Sequence, residues 1–203
     1  IQSVPEWQSV KKDILSLVDF NDPDCTEFGE PFYSDYCKYY GNGFTPPYHK
    51  QLLDVLKKPI GWFRRTQQVD FSVPSSWCQK YTSGQMHPVH THSVYGWSAI
   101  FYAQLGSDHQ ATNFFSPFPD PWTGFPEEIT PSMNEGDIIF FPAQLMHQSL
   151  PHRSKQDRII FSFNLIPMKT LSESNLMIQL HILSEIIFNS VEIINYEYPN
   201  NLI

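Results

Sequence analysis

From about residue 68 to residue 167 the hydrophobic period of the chain is two, and this constrains the fold more than any other feature. Val69, Phe71 and Val73 alternate with polar neighbours, and Trp77, Gln79 and Tyr81 continue the alternation up to a turn at Ser83–Gly84. Alternate residues of a strand face the same side, so these segments read as strands with one face buried. Further strands are expected at 86–92, 97–105, 137–141, 146–150 and 157–165, with one more near 111–115 inside the loop-rich stretch 106–127. Short strands separated by turn signals predict a barrel or sandwich. Seventeen prolines and an aromatic content of 15% agree with many short elements and with β structure.

The flanks have a different period. Over residues 6–18, Trp7, Val10, Ile14 and Leu17 share one helical face. Residues 21–47 read as loop, and a second helix is expected after Pro46–Pro47, presenting Leu52, Leu53 and Leu56. From Ser172 the spacing of Leu176, Leu180, Leu183, Ile187, Val191 and Ile194 is helical again. The 203 residues therefore read as one domain: helical and loop support over 1–67, a β core over 68–167, and a helical tail over 168–203. The fold class expected is mainly β with flanking helices.

Three short stretches carry chemistry. In His90-Thr91-His92 the two imidazoles sit at i and i+2, on one face of a strand, close enough to chelate one metal. Alone, such a pair is more often hydrogen-bonded than metal-bound. The run Gly136 to His147 begins with a Gly-Asp turn, passes through the apolar strand Ile138-Ile139-Phe140-Phe141, is ended by Pro142, and brings His147 to the rim of the barrel. Eleven residues later Arg158 heads a strand in which Arg158, Ile160, Ser162 and Asn164 share one face. A guanidinium at the start of so apolar a strand is costly to bury unless paired, and its planar fork suits a carboxylate. Three protein ligands on one face of an iron leave positions for a chelating cosubstrate and O₂.

These stretches resemble a known family. His90-Thr91-His92 followed by Gly96-Trp97-Ser98-Ala99-Ile100-Phe101-Tyr102, the block Gly136 to His147, and the block Arg158 to Asn164 resemble, in order and spacing, the motifs of the 2-oxoglutarate/Fe(II) oxygenases of bacteria and their phages. The resemblance covers about residues 77–165. It departs at Ala99, where the family tends to have Gly, and at Ala143, where it tends to have Ser. It implies a double-stranded β-helix of the jelly-roll type and a need for Fe(II), 2-oxoglutarate and O₂. It implies iron held by His90, His92 and His147. The cosubstrate would chelate that iron and set its far carboxylate on Arg158, with Ser162, Tyr102 and Asn164 in the cofactor-facing set. The reaction implied is hydroxylation of a small molecule or a protein, with release of succinate and CO₂. Most of the wider superfamily has Asp or Glu as second ligand; positions 91–94 hold no carboxylate, so three histidines are expected. The competing arrangement puts water or a remote carboxylate in the place of His92.

Two other readings fit parts of the pattern. Gly84 six residues before His90, and Gly136 six before Pro142, also suit a cupin that does not use 2-oxoglutarate, although the usual cupin Glu is missing at 96–97. A non-catalytic jelly-roll binding module is the second. Arg158 separates the cupin from the oxygenase, since only the oxygenase needs a buried cationic anchor.

Composition excludes more than it assigns. A net charge of −8 speaks against a nucleic-acid face, and Arg64–Arg65 reads as a solvated turn. Cys25, Cys37 and Cys78 make neither a disulfide framework nor a zinc ribbon, and suit a reducing cytoplasm. No signal segment precedes the first helix, and a chain that begins at Ile1 rather than Met reads as shortened or processed. The polar groups Gln179, His181, Glu185, Asn189 and Glu192 within 176–194 argue against a membrane span and for a packing helix with a surface for a homodimer. His87, three residues before His90, is expected on the opposite strand face. His49, His109, His152 and His181 read as surface or packing residues. The aromatic stretch 106–127, with Phe114, Phe115, Phe118, Trp122 and Phe125, reads as a lid.

Overall fold

The computed structural model describes residues 1–25 and 31–168. The tail helix expected after Ser172, and the dimer surface assigned to it, lie outside the described residues. In chain order the elements are β1 (Gln2–Ser3), α1 (Trp7–Leu15), β2 (Tyr33–Ser34), α2 (His49–Val55), α3 (Lys57–Gln67), β3 (Phe71–Ser72), β4 (Trp77–Tyr81), β5 (His87–His90), β6 (Trp97–Gln104), β7 (Asn113–Pro119), β8 (Pro126–Ile129), β9 (Asp137–Pro142), β10 (His147–Ser149) and β11 (Arg158–Pro167). They form two antiparallel sheets. The larger runs β1-β9-β6-β11-β4-β2, with β3 added on the end of β11, and the smaller runs β5-β10-β7-β8. This is the double-stranded β-helix, built here as two sheets rather than a closed barrel.

Strand alternation divides the core in two. On one face of the larger sheet Ile159, Phe161, Phe163, Leu165, Ala99, Phe101 and Ile138 pack beneath Trp7, Ile14, Leu52, Leu56 and Phe63 of the three helices. On the other face Ile160, Ile100, Tyr102, Tyr81 and Phe141 meet Phe114 of the smaller sheet. The functional face of β11 therefore looks into the space between the sheets, because its other face is committed to the helices.

The helices follow their apolar stripes. In α1, Trp7 and Ile14 are buried, and the Trp7 indole N–H donates to the Ala103 carbonyl at 2.9 Å. Leu17 lies past the end of α1 yet packs on the same core. The single helix expected after Pro46–Pro47 divides at Leu56 into α2 and α3. Pro59 falls in the first turn of α3, where its missing N–H costs little. Arg64 and Arg65 occupy the last turn of α3 rather than a loop, and there they complement the negative end of the helix dipole. Two strands, β1 and β2, come from the segment read as helix and loop. At two residues each they are too short to leave a period in the sequence. No helix among the described residues is long and apolar enough to cross a membrane.

Asp35, just past β2, ties this front segment to the sheet. Its carboxylate accepts the Cys78 amide at 2.7 Å and the Tyr48 hydroxyl at 2.8 Å. Burial is the largest influence on it and pushes its pKa up to about 6. A carboxyl raised in the folded state contributes stability that is present below its unfolded pKa and lost as pH rises through the folded value. Relative to Asp35→Asn, the wild type should therefore lose on the order of 3 kcal/mol between about pH 4 and pH 6. Urea unfolding of the two proteins across that range measures the difference; a constant difference would contradict it.

Gly96 opens β6 with φ +84°, and a Cβ there would come within 2.7 Å of the Leu165 carbonyl oxygen. Gly96→Ala is expected to cost about 2 kcal/mol or more, from the left-handed backbone together with the contact on β11. The denaturation midpoint reads this directly.

Candidate metal and cosubstrate site

The two sheets bring three histidines together. β5 and β10 pair so that His90 lies opposite His147. His92 is past the end of β5 and is held by its amide, which donates to the Ala143 carbonyl at 3.0 Å. The strand pleat expected to carry both residues of the pair thus carries only His90. The ring centroids lie 4.3 Å (His90–His147), 4.8 Å (His92–His147) and 5.4 Å (His90–His92) apart. One ring nitrogen from each lies within 4.8 Å of the others.

Hydrogen bonds set the tautomer of all three. His90 Nδ1 lies 2.8 Å from the Pro88 carbonyl oxygen, and His147 Nδ1 lies 2.8 Å from that of Leu145. A carbonyl only accepts, so each Nδ1 carries the proton and each Nε2 keeps its lone pair. At His92 the Ser98 hydroxyl donates to Asn164 Oδ1 at 2.8 Å, and His92 Nδ1 lies 2.8 Å from Ser98 Oγ. With its hydrogen already spent, Ser98 Oγ accepts from His92. Asn164 Nδ2 in turn donates to the Tyr40 hydroxyl at 2.8 Å. Burial keeps the rings neutral, and at His92 and His147 neighbouring imidazoles add to it: His147 is lowered to about 4, and His90 and His92 are lowered as well. Three neutral rings with inward lone pairs are a donor set that fits a divalent iron.

Arg158 stands farther along the same face. It is 1% exposed and lies over the Tyr81 ring, 4.6 Å from its centroid. Nη1 donates to the Gln110 carbonyl at 3.0 Å, whereas Nε and Nη2 are buried with no partner among the described residues. Those two N–H groups form one edge of the guanidinium fork, the edge that takes a carboxylate side-on. A buried cation with two unpaired donors is unfavourable by itself, so this feature fits a dianionic cosubstrate. Tyr102 is fully buried, feels the Arg158 charge, and accepts the Thr112 amide at its hydroxyl at 3.0 Å. Ser162 is placed two residues from Asn164, with its hydroxyl 3.4 Å from Gln79 Oε1.

The sequence reading missed part of the site. His87 does not face away: its ring stacks on His90 at 3.9 Å, and Gln79 Nε2 donates to its Nδ1 at 3.3 Å. The β5–β10 register shifts between His147 and Ser149, which brings His87 round to the site. Pro88 carried the signal, because proline inside a strand marks an edge or a bulge. Trp77 meets His92 edge-on at 5.4 Å. In the expected lid, Phe114 is core and packs against His147 at 5.8 Å. Phe118, Trp122 and Phe125 are 77%, 93% and 73% exposed and do not line the cavity at the histidines. His49 and His152 are buried packing residues, as expected.

Two antiparallel β layers thus bring three convergent imidazoles and a buried arginine into one fold. Residues 75–164 match the family model described as "Putative 2OG-Fe(II) oxygenase". No curated protein matches the chain. Among solved structures it is similar to HygX from Streptomyces hygroscopicus with nickel, 2-oxoglutarate and hygromycin B bound, at 16% identity and TM-score 0.56, over 83% of this chain and 82% of that one. It is similar to AviO1 from Streptomyces viridochromogenes Tue57 at 12% identity and TM-score 0.57, over 84% and 89%. The chain spans about half the length (46%) of another match, an oxidoreductase of the 2OG-Fe(II) oxygenase family from Burkholderia pseudomallei, at 12% identity and TM-score 0.40 over 49% of this chain.

The Ser98–Asn164 pair makes a prediction. Asn164→Ala should weaken Fe(II) or Zn(II) binding by about 10- to 100-fold, because it loosens the orientation of His92. Competition against a chelator under anaerobic conditions measures the affinity, with circular dichroism as the check on folding.

Proposed function

We propose that this chain hydroxylates a small organic substrate, with iron held by the Nε2 atoms of His90, His92 and His147 and the far carboxylate of 2-oxoglutarate held by Arg158. The observation that carries this reading is the shared tautomer of the three histidines, each with Nδ1–H tied off and Nε2 left as a ligand. When bound, the iron, 2-oxoglutarate and O₂ supply an oxidant for a substrate C–H bond, and 2-oxoglutarate leaves as succinate and CO₂. The protein contributes positions and charge. Ser98 and Asn164 hold the His92 ring in place. Arg158 orients the cosubstrate through the unpaired Nε and Nη2 edge, and Tyr81 and Tyr102 shield it from water. HygX, which its structure shows with nickel and 2-oxoglutarate, supports the assignment of both to this fold.

Arg158 favours this reading over a cupin that lacks the cosubstrate, since nothing in cupin chemistry uses a buried guanidinium with an open edge. Anaerobic titration with Fe(II) and then 2-oxoglutarate tests it. The wild type should develop the weak visible charge-transfer band of the chelate. In Arg158→Ala, 2-oxoglutarate binding should weaken about 100-fold or more, as for a lost buried charge pair. Iron binding without a band in the wild type would overturn the proposal in favour of the cupin.

A further inference from the structure

Beside the histidines lies a cavity of about 300 Å³. That is the small end of the range for ligand sites, room for a single ring. Besides His90 and His92, its walls are Tyr36, Trp77, Gln79, His87, Thr91 and Asn164. Among the described residues no Asp, Glu, Lys or Arg contributes to them, in a chain with 34 such residues. With the charge of a bound Fe(II) met by the dianionic cosubstrate, a charged substrate group carried into this space would lose its hydration without gaining a charged side chain as partner.

The walls have two kinds of surface. Tyr36 and Tyr40 stack at 5.3 Å, and both meet Trp77 edge-on, at 5.2 Å and 5.0 Å. Trp77 in turn meets His92, so one aromatic flank runs from the front segment to the metal ligands. The remaining walls are polar and uncharged. His87 accepts from Gln79 at Nδ1, so its proton is on Nε2 and that N–H is a donor. Asn164 and Gln79 are already held by Tyr40 and Ser162. The amide and imidazole positions are therefore preset rather than adaptable.

We propose that this cavity is the substrate site and that it takes an uncharged ring, whose less polar face lies on the Tyr36–Trp77 flank and whose acceptor groups meet the His87 N–H. This rests on the oxygenase reading given above. Tyr36 and Tyr40 precede the residues matched by the family model, so this flank belongs to the chain's own front segment. The exposed aromatics of the β7–β8 hairpin have no part in it. A pyranoside and a pyrimidine base both have this chemistry.

Saturation-transfer NMR on the protein loaded with Zn(II) and 2-oxoglutarate distinguishes them. The probes are methyl β-D-glucopyranoside and uracil, each set against charged counterparts: glucuronate and glucosamine for the sugar, orotate for the pyrimidine. At least one neutral ring should bind, the charged ones should not, and Tyr36→Ala should weaken binding by about fivefold while Tyr36→Phe retains it. Whichever neutral probe binds names the source. Charged rings binding as well as neutral ones would overturn the proposal, as would no binding at all, or binding that Tyr36→Ala leaves unchanged. The charge-transfer band of the Fe(II)-loaded protein is read on the same preparation. A band without ring binding sinks this proposal alone, whereas a missing band sinks the oxygenase reading beneath it.

Discussion

The structure depends on the two-sided commitment of β11. Its backbone pairs with β6 along one edge and with β4 along the other, so it cannot shift without breaking both ladders. Its odd-numbered residues Ile159, Phe161, Phe163 and Leu165 are buried under the helices. A slip of one residue would drive Arg158, Ser162 and Asn164 into that apolar layer and turn the apolar residues toward the site. Arg158 and Asn164 are six residues apart, about 20 Å along the strand. The amide that meets His92 and the guanidinium with its open edge are thus two ends of one rigid wall.

From that wall the metal site is assembled by hydrogen bonds rather than by charge. Asn164 reaches from β11 to Ser98 on β6 and to His92 beyond β5, and Tyr40 holds it from the front segment. Among the described residues no carboxylate belongs to the cluster. On the proposed reading, three neutral imidazoles would leave the full double charge of a bound Fe(II) to be met by the dianionic cosubstrate, whose far end Arg158 would receive. Retaining neutral rings at physiological pH requires that protonation be disfavoured, and burial of His90, His92 and His147 achieves this.

Much of this was legible in the sequence because strand periodicity and ligand chemistry are local. The alternation in Arg158 to Asn164 gave the functional face, and the apolar run before Pro142 gave the burial that brings His147 to the rim. The rest is set by contacts far apart in the chain. Strands β1 and β2 exist only because edges of the larger sheet need partners. His87 faces the site because of a register shift that Pro88 hinted at but did not locate. Tyr36 reaches the cavity, with Tyr40 stacked on it, through packing on Trp77, about forty residues away, and no periodicity marks them. The aromatic richness of 106–127 suggested a lid, yet it serves the core at Phe114 and solvent at Trp122. Residues of one type in one loop have different roles according to which face the sheet gives them.

The central claim is that iron is held by three imidazoles and no protein carboxylate. X-ray absorption at the iron edge, on the anaerobic Fe(II)-loaded protein with and without 2-oxoglutarate, addresses it most directly. The account predicts multiple-scattering features of three imidazole ligands in wild type, falling to two in His92→Ala. Two imidazoles in wild type, unchanged by that substitution, would contradict it and place His92 outside the ligand set.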